Sequence, residues 1–90
     1  MYRISLACSG VPRSSGLQAA IDIADEFKDR AWYTNVQCTW DGNQLFLGAD
    51  SDVDSDGRGL ADEFSDCIAA CITELFDGEI AVISVQRLEQ

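Results

Sequence analysis

Between Tyr2 and Cys8 the chain alternates: Ile4, Leu6 and Cys8 fall on one face, Arg3, Ser5 and Ala7 on the other. That is the period of a half-buried strand. A Gly/Pro/Ser loop, Ser9 to Ser14, follows. Ser15 has the chemistry of a helix N-cap, with Gln18 at the capping-box position. The spacing predicts a helix to about Asp29, with Leu17, Ala20, Ile21, Ala24 and Phe27 as its apolar stripe. Alternation resumes from Trp32 to Trp40, placing Trp32, Thr34, Val36, Cys38 and Trp40 on one face. Asp41-Gly42 is the strongest turn signal and predicts a hairpin. Counted from that turn, Cys38 pairs with Leu45, Val36 with Leu47 and Thr34 with Ala49.

A second helix is predicted from about Leu60 to Phe76. Its apolar face is Leu60, Phe64, Cys67, Ile68, Cys71, Ile72 and Leu75, and Asp77-Gly78 stops it. Ile80 to Leu88 reads as a last strand with Ala81, Ile83 and Val85 toward the core. The order strand, helix, strand, strand, helix, strand closes most simply as one antiparallel four-stranded sheet with two helices on one face. This is the α+β, ferredoxin-like split β-α-β (βαββαβ) arrangement. Crossover handedness puts the first and last strands side by side in the centre. Ninety residues make a single domain, 1–90.

Such a layout leaves one sheet face uncovered. It is expected to carry Arg3, Ser5 and Ala7; Tyr33, Asn35, Gln37 and Thr39; Gln44, Phe46 and Gly48; and Val82, Ser84 and Gln86. Tyr33, Gln37, Phe46 and Val82 are its candidate interface residues.

Charge narrows the partners. Six Lys and Arg stand against sixteen Asp and Glu, a net charge of -10. Nucleic acid and anionic lipid need a basic footprint and are excluded as partners. Cations and basic proteins are favoured. No apolar run reaches the ~18 residues of a membrane span, and the start lacks a signal-peptide core, so a cytoplasmic location is expected. With no His in the chain, the familiar catalytic triads and most zinc enzyme sites are excluded. Cys8, Cys38, Cys67 and Cys71 all fall on inward faces, as core-filling thiols.

The acidity is uneven: residues 50 to 66 hold seven acidic groups and only Arg58. Within them, Asp52 to Glu63 resembles the EF-hand calcium loop over twelve residues. The resemblance implies Asp52, Asp54 and Asp56 as ligands at the first, third and fifth positions, Gly57 at the sharp turn and Glu63 at the twelfth. It departs at Gly59 and Leu60, and a strand stands where the entering helix belongs. Calcium is the one cofactor it suggests.

The loop from Ser9 to Gly16 opens a helix and could hold an anion on its free N–H groups. Arg13 and Ser15 are its candidates, with Asn35 on the second strand. Acylphosphatases place a loop Arg and a strand Asn on this topology, but their glycine-rich run is absent here. The expected function is therefore a small acidic non-catalytic domain that self-associates or docks a protein partner, a basic one included, through its open face. A calcium-binding module and a small anion-binding or acylphosphatase-like enzyme are the alternatives.

Overall fold

Six elements form in chain order: β1 (Tyr2–Ser9), α1 (Arg13–Phe27), β2 (Tyr33–Trp40), β3 (Leu45–Ser51), α2 (Arg58–Cys71) and β4 (Glu79–Arg87). They are seen in a computed structural model that describes residues 1–72 and 78–88. The four strands make one antiparallel sheet in the order β2-β3-β1-β4, and the fold is the ferredoxin-like α+β arrangement. Its core is the inner sheet face, Ile4, Leu6, Cys8, Leu45, Leu47 and Ala49, packed against Ala20, Ile23 and Phe27 of α1 and Leu60, Phe64 and Ile68 of α2. No helix among the described residues is long and apolar enough to cross a membrane.

Several expectations are corrected. The first and last strands do lie side by side, but the centre is β1 with β3, and β4 is an edge. The hairpin turn sits one residue later than counted. Trp40 pairs with Leu45 and Cys38 with Leu47, and Asp41 N–H donates to the Gln44 carbonyl at 3.2 Å. Gly42, at φ +96°, is the only residue of this turn with positive φ. That suits a glycine-first two-residue turn rather than one needing both central residues left-handed. Asp41 Oδ1 secures it by accepting the N–H groups of Asn43 and Gln44 at 2.7 and 2.6 Å. A turn moved by one residue shifts each partner by two, so every side chain keeps its face.

Two bulges do change faces. In β2 the pairing slips between Thr34 and Gln37, where Asn35 takes a left-handed φ of 52°. The extra residue turns Tyr33 into the core, 8% exposed, instead of onto the open face, and leaves Thr34 outside. Trp32 precedes the strand and is exposed rather than inward. In β4 the slip falls at Ile83, between Val82, which pairs with Leu6, and Ser84, which pairs with Ser5. Val82 therefore stands on the helix side, near Gly57 and Ile4, and not on the open face. Ile80 and Val85 share the inner side with it, whereas Ile83 is exposed and Ala81 faces outward.

Helix α1 starts at Arg13, capped by Pro12 rather than Ser15, and ends at Phe27. Its buried face is Gly16, Ala19, Ala20, Ile23 and Phe27, while Leu17 and Ile21 are 67% and 57% exposed. The cause is close approach. A Cβ on Gly16 would overlap the Trp40 ring, so the small residues face the sheet and the large ones turn to the flank. Helix α2 spans Arg58–Cys71 instead of Leu60 to Phe76, because Ile72 is already extended. The predicted helical positions Leu75 and Phe76, and the stop residue Asp77, lie outside the described residues.

Candidate functional site

At the middle of β3, Gly48 lies between Phe46 and Asp50 on the open face. Because it carries no side chain, the sheet surface dips there. A depression of about 440 Å³ is bounded by Arg3, Ser5, Asn35, Gln37 and Asp50. A smaller one of about 220 Å³ continues it toward Phe46 and Thr39, and both share Ser5, Gln37 and Gly48.

The polar end is built across three strands. Arg3 on β1 donates from Nε to Asp50 Oδ1 at 3.1 Å and from Nη2 to Oδ2 at 3.4 Å. Asn35 on β2 donates from Nδ2 to the same Oδ2 at 2.8 Å. Asp50 is only 3% exposed, and a buried carboxylate is tolerated when paired and hydrogen-bonded. The Arg3 hydrogen bond, with help from Asn35 and against burial, holds Asp50 below the ordinary carboxylate range. Ser5 and Gln37 add a hydroxyl and an amide to the floor and wall. The arrangement suits recognition by hydrogen bonding and shape. Its one carboxyl is shifted away from the near-neutral pKa that proton transfer needs.

Of the candidate interface residues, Gln37 and Phe46 line this surface, whereas Tyr33 is core and Val82 lies on the other side of the sheet. The anion candidates do not meet. Arg13 and Ser15 follow the end of β1, and Asn35 sits beside Arg3 at its start, about 20 Å away along the strand. Asn35 is also committed to Asp50.

The calcium candidates are not brought together either. Asp54 accepts the N–H groups of Gly59 and Leu60 at 3.2 and 2.8 Å, capping α2. Asp56 accepts the Arg58 N–H at 3.0 Å, and Asp52 is exposed. Glu63 turns the other way. It accepts Arg30 Nε at 2.9 Å, Trp32 Nε1 at 3.2 Å and the Tyr33 hydroxyl. Among the described residues no three Asp, Glu or Cys side chains are placed to hold a metal.

The Glu63 cluster joins the end of α1, the start of β2 and α2 in one network. Arg30 also lies over the Phe27 ring at 5.0 Å, and Phe27 meets Tyr33 edge-on. Burial would raise the Glu63 carboxyl, but the bonds from Tyr33, Trp32 and Arg30 hold it low. Sequence reasoning did not link Arg30 and Trp32 to Glu63. Asp50, counted in the sequence only among the acidic residues 50 to 66, continues the 46, 48 alternation of β3. The four cysteines are free thiols, buried or half-buried. Compared with known proteins, the chain matches no family model and no curated sequence.

Proposed function

We propose that this chain is a non-catalytic domain that binds a second copy of itself or another protein through the open face of its sheet. Charge segregation carries this reading. On that face the described strands present only Arg3 and Asp50, which neutralise each other, and Glu79 at the start of β4. The acidic groups Asp22, Asp25, Glu26, Asp62 and Asp66 lie on the helices, in a molecule of net charge -10. Interface centres are depleted of net charge and carry aromatic anchors such as Phe46. The sheet edges are less suited. Bulges at Asn35 in β2 and Ile83 in β4 interrupt both outer rows of backbone groups.

Amide-resolved NMR of the labelled chain tests it, at rising concentration of its own and in a concentrated extract of its source. Shifts or broadening centred on Ser5, Gln37, Phe46 and Gly48 are expected. Changes confined to the amides of Asp22–Phe27 and Asp62–Cys67 would refute it and favour an acidic helical docking surface.

A further inference from the structure

Resting on the open-face reading, the geometry points to a second copy of this chain as the occupant of that face, each copy setting its Phe46 into the depression over the other's Gly48. Phe46 and Gly48 are successive residues of one face of β3, about 7 Å apart. A two-fold axis lying in the interface and crossing β3 at Leu47 reverses the strand. It exchanges the projecting ring and the dip, so one patch complements itself. The same rotation lays β1 on β1. Arg3 then falls opposite the second copy's Ser9, one strand from its Glu79, because Ser9 and Glu79 are paired neighbours. Opposite charges are thus brought near; Asp50, already paired with its own Arg3, falls opposite the Gln44 end of β3, whose turn holds the carboxylate of Asp41. The acidic helices end on the two outer surfaces, where repulsion is weakest.

The size of the face sets the strength. Four strands at ~4.8 Å and about seven residues at ~3.3 Å cover roughly 19 by 23 Å. That is a small interface, in the reversible range below about 1,200 Å² in total. The dimer is therefore concentration-dependent, and two bodies of charge -10 associate more tightly as salt screens them.

Sedimentation equilibrium of the full chain, in roughly 10 and 500 mM salt, tests this. A monomer–dimer equilibrium that tightens with salt is expected. Gly48→Val fills the dip, and a Cβ there meets only the Ile4 carbonyl oxygen, at 3.8 Å. This variant should dimerise at least tenfold more weakly, with a urea midpoint no lower than the original. Glu79→Arg should weaken the dimer severalfold, and Leu17→Ser, on the outer flank of α1, should leave it unchanged. A chain that stays monomeric at every salt and concentration overturns the second-copy assignment, as does a dimer that Gly48→Val does not weaken. Neither result decides the broader open-face reading, which the amide map tests separately.

Discussion

Asn35 donates its amide to Asp50 across 2.8 Å, and it does so from a left-handed backbone at the one point where β2 loses its pairing with β3. One residue thus makes the bulge and helps to satisfy the buried carboxylate that the bulge faces. Asn tolerates this backbone better than most side chains. Asn35→Ala loses both the hydrogen bond and that tolerance, and is expected to cost about 2 kcal/mol. Asn35→Gly keeps the backbone and should recover about 1 kcal/mol of this. Urea unfolding of the pair decides it, and equal losses would mean that the left-handed geometry contributes nothing.

Asp50 and Glu63 both titrate lower in the folded chain than their ordinary 3.8 and 4.5. The unfolded chain then binds more protons across that range, so their contribution rises with pH. It is complete above about pH 5 and fades as pH falls below about 4. Relief of acidic self-repulsion acts in the opposite sense, so variants are needed to isolate the effect. Glu63→Gln should lose about 1–3 kcal/mol near neutral pH and much less near pH ~3. A loss equal at both, read from urea midpoints, would remove the charge-assisted bonds from Arg30 and Trp32 as the cause.

Gly57 has φ +79°, and a Cβ there would stand 3.2 Å from Ile4 Cγ2 and Val82 Cγ1. Gly42 has φ +96° with nothing within 4 Å. Alanine at Gly42 meets only the backbone cost of about 1–2 kcal/mol. Alanine at Gly57 adds crowding under the start of α2 and should cost at least about 1 kcal/mol more. Thermal or urea melts of the two variants compare them directly, and equal losses would show that the space around Gly57 yields freely.

Burial pushes the Cys38 thiol up to about 12 and raises Cys8, Cys67 and Cys71 as well. Few thiolates exist at pH ~8, and the thiolate is the reactive form. Native chain is expected to react with a disulfide reagent at least tenfold more slowly than chain in urea. Fast labelling of all four under native conditions would contradict the buried placement.

The element order and the inner faces of β1 and β3 were legible because alternation there has one solvent side and no interruption. The Asp41-Gly42 signal places the hairpin one residue early, a shift that preserves the faces of Cys38 and Trp40 and so leaves no trace in the pattern. Tyr33 and Val82 depart from the strand count for a different reason. A bulge adds one residue without any compositional mark, and in Ala-Val-Ile every position is apolar whichever way the strand counts. Leu17 and Ile21 look like core by size, yet Gly16 lets the helix approach Trp40 so closely that small residues take the contact. The alternation alone puts Gln37, Phe46 and Gly48 on one face, as in the structure. Their gathering beside the buried Asp50, held by the exposed Arg3 and Asn35, depends on β3 running on to Ser51, where the acidic composition suggests it has already ended.

A strand repeats every two residues, so an added residue works as a switch of sides rather than as extra length. Removing Asn35 altogether would rotate Tyr33 out to solvent, strip Phe27 of its edge-on neighbour and take a hydroxyl away from Glu63. The number of residues between Ala31 and Gln37 is therefore as specific as their identity, and a shortened β2 should damage the far corner of the molecule more than any single replacement within it.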